Sequence, residues 1–142
     1  MAELLLIARV AGRRIAFPAA AVEAVVELEG ITPVPRAAGH VAGLSALRSR
    51  VLTVIDALAS LEFGRSAGLR EAIVVPSDGH TYALMVEEVE DVVEADAPSG
   101  PVKAPLGPGW DRVATGMVEA EGELILLVDP HLLIAGPAAH AA

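Results

Sequence analysis

The 142-residue sequence predicts a mainly β fold in two lobes related by internal duplication, with short helical turns. Residues 14–27, RIAFPAAAVEAVVE, align with 81–94, TYALMVEEVEDVVE, at an offset of 67, so that Val22, Glu23, Val25, Val26 and Glu27 recur as Val89, Glu90, Val92, Val93 and Glu94. Residues 41–56 align with 114–129 at an offset of 73, pairing Gly43 with Gly116 and Asp56 with Asp129. The third observation is the texture between these blocks. Short aliphatic or β-branched runs are broken by Gly, Pro, Asp or Arg, which is how strands and tight turns read and how long helices do not.

Taken in order, LLLIARV reads as a first strand and AGRR as the turn after it; AIVVP and SDGH repeat the arrangement in the second half. Asp78-Gly79 suits the positive φ that a two-residue hairpin turn demands. The Val-Glu-x-Val-Val segments, at Val22 and at Val89, read as short helical turns. The runs around Gly43 and Gly116 read as hairpins that end on Asp56 and Asp129. Both aspartates can cap a closing helical turn, ALASL or PHLLI, and Pro130 takes a first helical position where its missing N–H costs nothing. Residues 97–109, with Pro98, Pro101, Pro105, Pro108 and three glycines, read as an extended loop inside the second half. A half of roughly 70 residues barely buries a core of its own. The expectation is therefore one domain over residues 1–142, with lobe one at about 11–65 and lobe two at about 70–134. The strand at 1–10 and the C-terminal tail complete the lobes.

Composition narrows the function. A net charge of −9 with ten dispersed Lys and Arg disfavours nucleic acid, and four aromatic residues are too few for base-stacking platforms. No apolar run approaches the roughly 18 residues of a membrane span. In MAELLLIARV the acid Glu3 precedes the apolar run and arginines follow it, the reverse of a secretory signal, so a soluble cytoplasmic protein is expected. Without cysteine there is neither a disulfide framework nor a thiolate metal site.

Chemistry is sparse. His40, His80, His131 and His140 have no partner at a metal-binding i+2 or i+4 spacing, so no metal or cofactor is expected. No nucleophile elbow or phosphate-cradling glycine loop occurs, and Glu87, Glu88, Glu90 and Asp91 read as a solvated acidic turn. The chain is therefore expected not to be an enzyme; the remote rival is a small β-barrel hydrolase or ligand-binding protein using His40 or His80. The distinctive segment is GLSALRSRVLTVID, where alternation breaks at Leu47-Arg48-Ser49-Arg50. On residue type alone, both arginines read as solvated turn residues. The sharper alternative makes Arg48 an interface anchor, since a guanidinium offers five fixed donors on an apolar stem. Its duplicate is Glu121, so the arginine belongs to one lobe only.

At this segment the chain resembles the CheW coupling-protein family, whose pattern runs Gly-Val-x-Asn-Leu-Arg-Gly-x-Ile-x-Pro-Val-x-Asp-Leu. Here Gly43-Leu44-Ser45-Ala46-Leu47-Arg48-Ser49 opens it and Asp56 closes it. The stretch from Val22 through Ile31-Thr32-Pro33-Val34-Pro35, the ALMVEEVEDVVE segment and the closing GELILLVDPHLL extend the resemblance over nearly the whole chain. It implies two SH3-like five-stranded barrels and a non-catalytic adaptor that joins the cytoplasmic tip of a methyl-accepting chemoreceptor to the regulatory domain of a CheA-type histidine kinase. The chain itself would not insert into the membrane and would be recruited to membrane-associated receptor arrays. The protein-binding residues carried over are Val22, Gly43, Leu44, Leu47, Arg48 and Ser49. Ala46 replaces the family Asn, Ser49 the family Gly and Thr53 a Pro. Since Ser tolerates positive φ less well than Gly, the turn after Arg48 is expected to differ. These departures leave room for a paralogue that serves another kinase pathway or competes with the true adaptor.

Overall fold

The computed structural model describes residues 3–68, 70–95, 100–102 and 105–137. Ten strands run in chain order as β1 (Glu3–Val10), β2 (Arg13–Pro18), β3 (Ala24–Glu27), β4 (Val41–Leu47), β5 (Arg50–Asp56), β6 (Glu71–Ser77), β7 (His80–Met85), β8 (Glu88–Ala95), β9 (Ala114–Ala120) and β10 (Glu123–Val128). The helices are α1 (Ala57–Ser60), α2 (Pro108–Val113) and α3 (Pro130–Ala135), with a 3-10 turn at Ala19–Ala21.

The strands form two five-stranded sheets, ordered β8-β1-β2-β10-β9 and β3-β6-β7-β5-β4. Once β1 is matched with β6, β2 with β7 and so on to β5 with β10, the two orders are identical. Each sheet then holds the first two strands of one repeat and the last three of the other. The repeats exchange strands, so neither sheet is built from 11–65 or 70–134 alone: the first joins β1 and β2 to β8, β9 and β10, and the second joins β6 and β7 to β3, β4 and β5. The pairing agrees in detail: β2 lies parallel to β10 as β7 lies parallel to β5, and every other pair is antiparallel. An isolated bridge between Thr32 and Leu44 links the chain beyond β3 to the edge of β4, and Gly100 with Met117 repeats it between β8 and β9. Each bridge draws the two ends of its sheet together.

Strand exchange explains why the inner strands read as continuous apolar runs. Leu5 and Ile7 of β1 point into the interior of the first sheet, with Ile125 and Leu127 of β10, while Leu6, Ala8 and Val10 point to a central core. Leu52, Val54, Ala72 and Val74 fill the second sheet, while Ile55, Ile73 and Val75 face the centre. Strands buried on both faces lose the usual polar alternation. The central core, which includes Phe17, Leu84, Trp110, Val113 and Leu126, fastens the lobes to each other. At the end of the interior face of the first sheet, Arg14 reaches Glu90 and Glu123 at 2.9 Å each, and Arg9 reaches Glu90 at 3.2 Å. One network thus spans β1, β2, β8 and β10.

Asp56 caps α1 through the amides of Leu58 and Ala59 and also accepts from the amide and hydroxyl of Ser66. Asp129 caps α3 through the His131 amide at 2.9 Å, with Pro130 at the first helical position. Because Asp129 makes this one bond, Asp129→Ala is expected to cost about 1 kcal/mol, read from the midpoint of a urea transition.

Two local expectations change. The Val-Glu-x-Val-Val segments are not helical: Val22 is already extended (φ −105°, ψ 124°), and Ala24–Glu27 and Glu88–Ala95 are strands. Paired β-branched valines suit the pleat, and the helical turn falls earlier, on three alanines after Pro18. Nor is the proline-rich stretch extended throughout, for Gly107 and Pro108 start α2. Its six residues match the growth of the repeat offset from 67 to 73, so the second half carries a helix that the first lacks. Pro98 lies outside the described residues.

Candidate functional site

The Leu-Arg segment forms the β4–β5 hairpin at one end of the second sheet. Alternation on β4 buries Gly43 and Ser45 and turns Leu44 and Ala46 outward, with Leu44 38% exposed. Opposite Ala46 stands Val51, 67% exposed. Leu47 packs against the second interior cluster. Ser45 donates its hydroxyl to the Gly30 carbonyl at 2.6 Å, anchoring β4 from within. The outcome is an apolar outward strip, Leu44-Ala46-Val51, that ends at the hairpin tip.

At that tip Arg48 and Ser49 are both exposed, and Arg48 makes no hydrogen bond or ion pair among the described residues. The turn departs from its three counterparts. Ala11-Gly12, Asp78-Gly79 and Glu121-Gly122 each place two successive residues at positive φ, whereas here Arg48 alone does so (φ +57°). The Ser49 substitution accounts for this, as glycine would have allowed the usual pair. Arg50, the other arginine, is held: its guanidinium donates to Glu23 at 2.8 Å. That bond brings the segment following Val22 beside the tip end of the hairpin. Val22 itself is half-buried against the central core. The structure thus gathers Leu44, Leu47, Arg48 and Ser49 on one hairpin, with Gly43 beneath, and sets Val22 at the rim of the lobe interface.

Gly43 is structural within this group. Its φ is +148°, and a Cβ there would collide with the Thr32 carbonyl oxygen and come within 2.7 Å of the Thr32 carbonyl carbon. Thr32 and Leu44 exchange N–H···O bonds of 2.8 and 2.9 Å at this point. Beyond that bridge no described strand pairs with the outer edge of β4, so the backbone at Ala46 is an open edge.

The duplicate site on the first sheet has the same backbone arrangement and opposite charge at its tip, and it carries the exposed Glu119 where the strip has Ala46. Leu124 stands where Val51 does, and Val92 where Val25 does; all four are among the most exposed apolar side chains, at 60%, 67%, 50% and 44% respectively. Glu121 takes the place and backbone conformation of Arg48 (φ +53° against +57°). Sequence reasoning missed Val25, Val51, Val92 and Leu124, which lie on strands other than those of Gly43 and Gly116.

The histidines find no charged partner among the described residues. His40 is buried, with Nε2 at 2.9 Å from the Ile134 carbonyl and its ring against Gly136. His80 is exposed and meets the Tyr82 ring edge-on at 6.4 Å. His131 Nδ1 lies 3.1 Å from the Ser77 hydroxyl, and His140 lies outside the described residues. No group of three metal-binding side chains occurs among the described residues, and no helix there is long and apolar enough to cross a membrane.

Compared with known proteins, residues 4–137 match the model of the CheW-like domain family. Among solved structures the chain is similar to the scaffolding protein TtCheW from Thermoanaerobacter tengcongensis, with a TM-score of 0.81 at 20% identity over 94% of this chain and 92% of that one. At that identity the likeness speaks for the fold. No curated protein matches the chain.

Proposed function

The chain belongs to the CheW-like domain family, and on that footing we propose that it is an adaptor coupling chemoreceptors to a CheA-type histidine kinase in chemotaxis signalling. Family membership over residues 4–137 carries the proposal. The geometry supplies a physical means: of two lobes of one architecture, one exposes the apolar strip Leu44-Ala46-Val51 ending on Arg48, while the other carries Glu119 within the corresponding strip and Glu121 at its tip. Such an adaptor needs two separable surfaces and no reaction. The finer partners are the kinase regulatory domain and the cytoplasmic tip of a receptor, met in the cytoplasm beside membrane-associated arrays. Val22, Leu44, Leu47, Arg48 and Ser49 form the binding group, with Gly43 holding its shape. Arg48 anchors the contact, since its exposed guanidinium is free to bond outward at the end of the Leu44-Ala46-Val51 strip. Interfaces of this kind bury at most about 1,200 Å² and bind modestly one at a time, and an array strengthens them by avidity.

Titration of the folded protein with each partner tests this reading. Micromolar binding to both is expected, and binding to neither overturns it. Arg48→Glu should weaken at least one of the two by about tenfold and move folding stability by no more than about 0.5 kcal/mol. A large drop in melting temperature would instead make Arg48 a structural residue. The altered turn at Ser49 favours one variant of the proposal, a partner set specific to this chain. Ser49→Gly is its probe: tighter binding to a partner pair from another pathway would support it.

A further inference from the structure

Three cavities adjoin one another along the segment that follows α1. The first, about 520 Å³, is bordered by Arg36 and Arg65; the second, about 170 Å³, shares Arg65 with it; the third, about 650 Å³, shares Leu58 and Ala11 with the second and ends on Phe63, Trp110 and Arg13. Together they make one trough, cationic at one end and aromatic at the other. We propose that this trough binds an extended acidic peptide segment of a partner, with an apolar side chain seated at the aromatic end. This goes beyond the coupling role: the trough meets the β4–β5 hairpin only at its base, through Val41, Ala42 and Asp56, at the opposite end from Arg48.

Charge selects the occupant. In a chain of net charge −9, Arg9, Arg14 and Arg50 are committed to ion pairs and Arg112 to backbone carbonyls. Arg13, Arg36 and Arg65 form no ion pair among the described residues, and all three border the trough. The acids that border it are already engaged: Asp56 accepts four hydrogen bonds, and Glu87 accepts from the Gly12 amide at 2.6 Å. Both carboxylates keep their charge, since every donor is a neutral amide or hydroxyl, and three arginines against two acids leave the lining one positive charge in excess. The far end supplies the apolar anchor. Phe63 is 50% exposed and lies 6.3 Å from the buried Trp110 ring, over which the Arg13 guanidinium sits at 5.4 Å. Phe63 and Arg13 thus stand on a rigid base, the buried Trp110 of the central core, and offer an apolar and a cationic side chain together in a chain with four aromatic residues. An extended chain suits a row of adjoining cavities, because it turns alternate side chains to the same side.

Trp110, the one tryptophan, reports on the site directly. The probe is a short synthetic peptide of alternating Glu and Leu around one Phe, titrated into the full chain by fluorescence and calorimetry. Saturable binding that changes Trp110 emission and weakens about tenfold when salt rises from low to physiological is expected. Arg36→Glu with Arg65→Glu should weaken it about tenfold, and Phe63→Ala by a similar factor, with unchanged thermal unfolding. Arg48→Glu should leave it unchanged, which separates this site from the coupling surface. Absence of binding, equal binding of a Lys-for-Glu peptide, or affinity indifferent to the paired arginine variant would each overturn the proposal.

Discussion

Replacing Arg112 by alanine is expected to cost about 3–4 kcal/mol and to lower the melting temperature by roughly 10 °C. This one side chain satisfies groups from two helices that belong to different repeats. Nη1 donates to the carbonyls of Leu132 at 2.6 Å and Gly136 at 2.7 Å, at the end of α3. Nη2 donates to the Ser60 carbonyl at 2.7 Å and its hydroxyl at 2.9 Å, at the end of α1. The Ser60 hydroxyl then donates to the Leu133 carbonyl at 2.7 Å, linking the helices to each other. Helix ends leave orphan carbonyls, and a cation there also meets the negative end of the helix dipole. Burial draws the Arg112 guanidinium below its ordinary pKa, with Glu62 acting the other way; arginine stays charged all the same. Alanine would strand the carbonyls with little access to water. Arg112→Lys should recover less than half of the loss, because one ammonium cannot hold the fork that joins α1 to α3. Urea unfolding is the measurement, and a cost under about 1 kcal/mol for alanine would show that the helices dock by apolar packing alone.

That clip also marks the limit of what the sequence discloses. The repeat offsets, the two capping aspartates and the turn dipeptides were legible because each rests on local chemistry. β4 and β9, β5 and β10, and the turns at Arg48 and Glu121 fall where the alignment puts them. Strand exchange between repeats was not legible. Similar repeats satisfy the same pairings within one half or across both, and no local residue pattern distinguishes the two. α2 was hidden for another reason: prolines that argue for extended chain also serve at a helix start, and only Gly107 before Pro108 signalled it. Among the site residues, the pattern marked the hairpin but not which of its members bind and which support. Arg48 and Arg50 look alike in sequence, and only the distance from Arg50 to Glu23 separates them. The exposed valines were passed over because composition treats valine as core.

Gly43→Ala is expected to destabilise the protein by about 2–4 kcal/mol and to abolish coupling, while Gly116→Ala, its duplicate, should cost about half as much. The two glycines hold the same backbone, φ +148° and +158°, at the register shift of β4 against β5 and of β9 against β10. They differ in what a Cβ would meet. At Gly43 the methyl would strike the Thr32 carbonyl and approach the Ile31 side chain within 2.9 Å. At Gly116 the nearest atom is the Gly100 carbonyl oxygen at 3.0 Å, with its carbon at 3.9 Å, so a displacement of a few tenths of an ångström suffices. Relief at Gly43 requires the Thr32–Leu44 bridge to part, which frees the chain beyond β3 and opens the second sheet along β4. The hairpin that carries Arg48 would then lose its support on one side. Thermal unfolding of both variants, with titration of each against kinase and receptor domains, makes the comparison. Equal costs at the two glycines would mean that backbone conformation alone sets the penalty and that contact with Thr32 adds nothing. A larger cost at Gly43, accompanied by lost binding, would tie the shape of the coupling surface to the bridge beneath it.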